Sequence, residues 1–267
     1  MGRTVAVANQ KGGVGKTTSV VALGAAFAQR DVRVLLVDLD PQSSLTFAVG
    51  IDPDEVDVSI ADVLLGESAV GAATVRANEG FDVLPATIDL AGAEAMLLPV
   101  EHREFVLRKA LEDVLSRYDV VILDCLPSLG LLTINALAAA DEVLIPLQCE
   151  MLSHRGVGQL LDTVSDVQRL LNPRLKVRGL LPTMYDGRSG HARAVLADIG
   201  KRYGFPVLTP IPRSVRFAEA PGLGKSIFAR ARSSPGAKAY AEVAESLLKS
   251  WRIRRSAQAS RTSAAKT

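Results

Sequence analysis

The segment NQKGGVGKTT, residues 9–18, packs three glycines, two lysines and two threonines directly behind a short apolar run. Glycines let backbone N–H groups close around phosphate oxygens, and a helix that starts at the end of such a loop favours negative charge there. In that arrangement the Lys16 ammonium reaches the β- and γ-phosphates of a nucleotide, and the Thr17 hydroxyl, followed by Thr18, ligates Mg²⁺. The usual spacing puts the first glycine six positions before the lysine. Here that position is Gln10; the glycines stand at Gly12, Gly13 and Gly15 around Val14, and a second lysine, Lys11, opens the loop.

Two further segments end in acids. VLLVDLDPQ, residues 34–42, carries Asp38 and Asp40 two apart, so on a strand both share one face. One could support Mg²⁺ through water and the other could position an attacking water. VVILDCLPS, residues 120–128, delivers Asp124 after four aliphatic residues, in the role of an acid that closes the Mg²⁺ shell. A decoy calibrates these readings. GLGKS, residues 222–226, also ends in Gly-Lys-Ser, but its first glycine would fall at Glu219 and no apolar strand precedes it, which predicts a surface turn.

Positioning these groups requires strands whose C-terminal ends meet. Apolar β-type runs fall at 4–8, 34–38, 81–84, 120–124, 143–146, 177–181 and 207–210, several of them continuous rather than alternating. Helical stretches fall between them at 16–29, 104–118, 156–171, 190–203 and 236–251. This alternation predicts an α/β fold: a single doubly wound, mostly parallel sheet with helices on both faces, over residues 1–252. Ligands of such sheets bind outside the strands' carboxyl ends. Residues 253–267 read as a basic, disordered tail.

Among 267 residues, no apolar run approaches the length of a membrane span and no secretory signal is visible, so a cytoplasmic location is expected. Cys125 and Cys149 read as buried thiols; an iron–sulfur cluster needs four thiolates and would have to be shared between two chains. The net charge of +2 conceals a split. Residues 1–173 hold 12 Lys/Arg against 24 Asp/Glu, and residues 174–267 hold 19 against 5, or −12 and +14. The C-terminal third therefore calls for an anionic partner, nucleic acid or membrane surface.

KGGVGKTT from Lys11, DLDPQ from Asp38 and DCLPSLG from Asp124 resemble the ParA/Soj partition ATPases, within the MinD/ParA group of deviant P-loop proteins. TMYDGRSG (183–190) and IPRSVRFAEAP (211–221) are similar to that family's C-terminal half, so the resemblance spans roughly residues 4–248. It implies a weak, partner-stimulated ATPase that uses ATP and Mg²⁺ and forms an ATP-dependent homodimer. Lys11 would cross the dimer interface to the partner's phosphates, and Asp40 would position the water. Thr17, Asp38 and Asp124 would serve the metal, and Pro212 and Ser214 would lie beside the adenine. Arg188 and Arg216, with Arg213 nearby, would hold DNA without reading sequence. A ParB-like centromere-binding protein would stimulate hydrolysis, in chromosome or plasmid partition at the nucleoid. Leu126 departs from the proline many members carry, and Ser214 from their asparagine.

The alternative is a MinD-like ATPase at a membrane surface. Tyr240, Val243, Leu247 and Trp251 form a helical stripe followed by Arg252, Arg254 and Arg255, the pattern of an amphipathic anchor.

Overall fold

A computed structural model of the chain describes residues 2–150 and 153–253. Seven strands form one sheet: β1 (Arg3–Val7), β2 (Val34–Leu39), β3 (Val75–Arg76), β4 (Asp82–Leu84), β5 (Val120–Cys125), β6 (Glu142–Gln148) and β7 (Lys176–Thr183). Their order is β3-β4-β2-β5-β1-β6-β7. All pairs are parallel except β3–β4. The strand order reverses direction around β1, which sits between β5 and β6 and therefore opens a crevice at its C-terminal end.

Twelve helices are described: α1 (Lys16–Ala28), α2 (Ser44–Ala48), α3 (Ile60–Leu65), α4 (Val70–Ala73), α5 (Asp89–Leu97), α6 (Val106–Glu112), α7 (Leu131–Ala139), α8 (Ser153–Leu170), α9 (Gly190–Tyr203), α10 (Arg216–Glu219), α11 (Ile227–Ala231) and α12 (Pro235–Trp251). Strand residues alternate between two cores. Leu35, Val37, Leu39 and Leu123 pack under α3, α5, α6, α7 and α8; Val34, Leu36, Val120 and Ile122 pack under α1, α2, α11 and α12. Both faces of the central strands are covered, which is why those strands read as unbroken aliphatic runs.

The stripe Tyr240, Val243, Leu247 and Trp251 is buried in the second core, with the Trp251 ring 5.8 Å from Phe27 and the Tyr240 hydroxyl 2.8 Å from Ser19 Oγ. That stripe fixes α12 against α1 and is not available to a membrane. No helix among the described residues is long and apolar enough to cross one. Arg254, Arg255 and the predicted tail apart from Ile253 lie outside the described residues.

Three sequence expectations need correction. Residues 207–210 form no strand: the isolated bridges Leu180–Val207 and Tyr185–Pro212, and the Ile211 N–H on the Pro182 carbonyl at 2.7 Å, link this segment to β7 and its following loop. Pro206, Pro210 and Pro212 have no N–H to give to a ladder. The helix expected at 104–118 is broken into a 3₁₀ turn at Arg103–Phe105, α6, and a second 3₁₀ turn at Leu115–Arg117. The GLGKS segment is a turn, but it forms a wall of the cleft described below rather than open surface.

Candidate functional site

Asn9, buried just past β1, anchors the start of the glycine-rich loop. Its Nδ2 donates to the Pro146 carbonyl at 2.7 Å and its Oδ1 accepts from the Lys11 N–H at 3.0 Å. Gly13 and Gly15 hold φ of +70° and +83°, the left-handed region where a side chain is strained; Gly15 is also the cap from which α1 starts. The first turn of α1 carries no acid, so its N–H groups and positive end face the loop without competition from a carboxylate of that turn. Lys16 is buried and its Nζ donates to the Lys11 carbonyl at 3.2 Å. Burial lowers its pKa, against Asp124, Cys125 and Asp40, which favour the charged ammonium.

Strands β1, β2 and β5 are neighbours, and in register Asp38 pairs with Asp124, and Asp124 with Val7. Both acids are therefore brought beside the loop. Asp38 is fully buried and held by protein donors: the Thr46 N–H and hydroxyl reach Oδ2 at 2.9 and 2.8 Å, and the Asp40 N–H reaches Oδ1 at 3.1 Å. Burial pushes its pKa up to about 6, with the Thr46 contacts pulling the other way. Asp124 differs. Both of its oxygens are buried without a hydrogen-bond partner among the described residues. Burial and then Asp38 raise its pKa well above the usual carboxylate value, opposed by the Thr17 hydroxyl and the Lys16 ammonium. A buried carboxylate beside a threonine hydroxyl and a lysine is a donor set that would suit a Mg²⁺. No cluster of three or more His, Cys, Asp or Glu that could hold a metal alone is present among the described residues. A cation here would draw its remaining oxygens from phosphate and water.

The loop borders a cleft of about 490 Å³ lined on one side by Gly12, Gly13, Gly15, Lys16, Thr17 and Thr18, with Asp40 at its rim. Val14, fully buried, passes behind the loop and its carbonyl accepts from the Thr183 hydroxyl at 2.7 Å. Phe47, Phe217, Pro221 and Lys225 also line the cleft. Neither Pro212 nor Ser214 lines this cleft. Pro212 borders a second one, of about 710 Å³, together with Arg188 and Arg213; Arg216 begins α10 apart from both. All three arginines are exposed, and none is held in an ion pair among the described residues.

Two features had no signal in the sequence reading. Thr46 clamps Asp38 and, through the same hydroxyl, accepts from the Ala86 N–H at 3.0 Å, tying the acid to the end of β4. Lys225 belongs to GLGKS, whose wall is pinned where buried Ser226 bonds Glu79 and where Gly224 meets Gly50 so closely that a Cβ would sit 2.6 Å from the Gly50 Cα. Lys11 points away from Lys16: its Nζ lies 2.7 Å from Glu150 Oε2 and 3.4 Å from Gln148 Oε1.

Comparison with known proteins places this arrangement. A family model described as an AAA domain matches residues 2–177. Sporulation initiation inhibitor protein Soj of Bacillus subtilis is 48% identical over 250 residues, covering 92% of this chain and 98% of its own. Chromosome partitioning protein ParA of Myxococcus xanthus is 43% identical over 253 residues, covering 93% and 89%. A solved structure called cobyrinic acid a,c-diamide synthase, from Mycobacterium smegmatis with bound ATP analog and magnesium, is 53% identical with a TM-score of 0.85, covering 96% of this chain and 98% of that one. With its glycine-rich loop, its strand-end acids and its doubly wound sheet, the chain belongs to the Soj/ParA family of chromosome-partitioning P-loop proteins.

Proposed function

We propose that the protein is a Mg²⁺-dependent ATPase that pairs around ATP, binds DNA without reading sequence, and acts in chromosome or plasmid partition under a ParB-like partner. The observation that carries the nucleotide chemistry is Asp124: a carboxylate buried beside Thr17 and Lys16, in register with the end of the strand that leads into the glycine-rich loop. Thr17 and Asp124 would hold Mg²⁺, which would supply charge neutralisation to the phosphates. The loop N–H groups and Lys16 hold the phosphates, Asp38 fixes the Asp40 backbone, and the Asp40 carboxylate orients the attacking water. Lys11 supplies positive charge to the nucleotide of the partner subunit, which makes pairing depend on ATP.

DNA binding rests on the +14 balance of residues 174–267 and on the three exposed arginines. The relative named as a diamide synthase raises an amide-forming reading. Ammonia from glutamine would need a reactive thiolate. Cys125 and Cys149 are both buried, and burial pushes their thiols up, the second to about 11, which favours the partition reading.

The deciding experiment measures binding to unrelated DNA duplexes and to anionic liposomes, each with and without Mg²⁺–ATP. The expected result is ATP-dependent, salt-sensitive DNA binding and no liposome binding. ATP-dependent liposome binding without DNA binding would overturn it.

A further inference from the structure

Asp38 and Asp40 are two residues apart, yet their surroundings differ. Asp40 lies at the rim of the cleft, whereas Asp38 is fully enclosed. The Asp38 carboxylate joins two other residues. Its Oδ1 accepts the Asp40 N–H at 3.1 Å, and its Oδ2 accepts the Thr46 N–H at 2.9 Å and the Thr46 hydroxyl at 2.8 Å. Thr46 is itself fully buried, in the first turn of α2. That helix start has no side-chain cap from its own Ser43, so Asp38 supplies the acceptor that its N–H groups otherwise lack.

The Thr46 oxygen in turn accepts the Ala86 N–H at 3.0 Å, just past the end of β4. A hydroxyl that donates to a carboxylate and accepts from a backbone amide is fixed in one orientation. β2 and β4 are paired neighbours, so the contacts run from the frame of the sheet through Thr46 and Asp38 to the Asp40 N–H. The turn after Asp40 adds local bonds: the Gln42 N–H reaches Asp40 Oδ1 at 3.0 Å, and the Ser43 N–H reaches the Asp40 carbonyl at 2.8 Å.

We propose that Thr46 is a positioning residue for hydrolysis: its hydroxyl locks the Asp38 carboxylate and thereby fixes where the Asp40 carboxylate stands against the attacking water. This rests on the reading of Asp40 as the residue that orients that water. Thr46 does not line the cleft, although its neighbours Ser44, Phe47 and Ala48 do. Its effect is therefore on placement and not on nucleotide contact, so losing it should slow the chemical step and leave affinity alone. Thr46→Val keeps the shape and the backbone bond to Oδ2 but deletes the hydroxyl bonds to Asp38 and Ala86. A misplacement of about 1 Å costs up to about 100-fold in rate, so a loss of about 10- to 100-fold is expected.

The test compares parent, Thr46→Val, Thr46→Ser and Asp40→Ala. Three quantities are read: Mg²⁺–ATP affinity by calorimetry, ATP-dependent pairing by light scattering, and single-turnover hydrolysis at saturating Mg²⁺–ATP. Thr46→Val should bind and pair within about threefold of the parent while its turnover falls by about 10- to 100-fold. Thr46→Ser, which keeps the hydroxyl, should turn over within about threefold of the parent. Should Thr46→Val not fold, Thr46→Cys takes its place, since a thiol is only a weak donor and acceptor, and its turnover should fall in the same direction. Affinity or pairing lost in step with turnover would overturn the proposal, because Thr46 would then merely support the cleft. An equal loss in Thr46→Ser would overturn it too, assigning the effect to the methyl group. Parent-like turnover in the variant without the hydroxyl, with Asp40→Ala inactive, would overturn the role of Thr46 alone. Parent-like turnover in Asp40→Ala would instead remove the reading of Asp40, and this proposal with it.

Discussion

Asp124→Asn should make the nucleotide-free protein more stable while destroying its response to Mg²⁺–ATP. The carboxylate is 1% exposed, and burial and then Asp38 oppose its charge more than the Thr17 hydroxyl and the Lys16 ammonium favour it. A carboxyl in such a place can always escape by taking a proton. Its cost to folding at pH 7 is therefore capped at the free energy of protonating an ordinary carboxylate there, about 4 kcal/mol. Asparagine keeps the shape and leaves an amide whose unmet hydrogen bonds cost about 1–3 kcal/mol. The difference favours the variant by at most about 1–3 kcal/mol, a rise in Tm of no more than roughly 3–10 °C for a chain of this size.

The pH dependence has a definite sign. A carboxyl whose pKa is raised by folding binds more protons in the folded than in the unfolded state, so its contribution to stability falls as pH rises above the ordinary value of 3.8 toward the raised one. The variant's advantage should be large at pH 8, smaller at pH 5, and close to gone near pH 4. Asp38, raised to about 6, contributes with the same sign between about pH 4 and 6 but is present in both proteins. Scanning calorimetry in EDTA at pH 5 and 8, then with Mg²⁺–ATP at pH 8, reads all of this. A variant that melts below the parent at pH 8, or a gap that fails to narrow at pH 5, would refute the electrostatic account. Equal stabilisation of both proteins by Mg²⁺–ATP would refute the assignment of Asp124 to the cation.

Three further outcomes are expected. Asp40→Ala should bind Mg²⁺–ATP and pair but not turn over, measured by single-turnover hydrolysis; a rate near the parent's removes Asp40 from water positioning. Arg188→Glu with Arg216→Glu should weaken binding equally on two unrelated duplexes and lower the log–log salt slope by roughly 0.9 per lost phosphate contact, with pairing intact; an unchanged slope means that these arginines do not touch DNA. Gly224→Ala should destabilise by about 1–3 kcal/mol in urea melts, since φ is +60° and the added Cβ meets the Gly50 backbone, while Gly222→Ala, with open space around it, stays within about 0.5 kcal/mol.

Local chemistry was legible in the sequence where the chain itself supplies the geometry. Gly13 and Gly15 occupy left-handed backbone, and Asp38, Asp40 and Asp124 end strands whose aliphatic runs announce burial on both faces. The partners that these residues find across the fold were not legible. Nothing in the sequence ties Thr46 to both Asp38 and the Ala86 N–H, or Glu150 to Lys11, because those contacts depend on strand order. α7 escaped for a different reason: it is apolar nearly all round and buried, so no 3.6-residue alternation marks it. GLGKS follows no strand, as the sequence indicated, and forms a turn between α10 and α11. Its place on the cleft is set instead by Glu79 and Gly50, far away in sequence.

The two lysines of the loop show how one short segment divides its work. Lys16 is buried, its pKa lowered by that burial, and bonded to the carbonyl of Lys11; Lys11 is half-exposed and bonded to Glu150. A triphosphate entering the cleft must take Lys16 from that carbonyl, and the carbonyl belongs to the residue that carries the second lysine. On the proposed reading, a phosphate gripped by Lys16 would replace its contact with the carbonyl of the residue whose side chain reaches the partner's nucleotide. The gain is largest for the buried lysine, whose charge lacks water and for which phosphate is worth most. It would be smaller for the half-exposed one, whose ammonium already faces Glu150. Binding is thus expected to be set mainly by Lys16 and pairing by the balance at Lys11. A single substitution at Lys16 should remove both, whereas one at Lys11 should leave the protein monomeric with ATP in place.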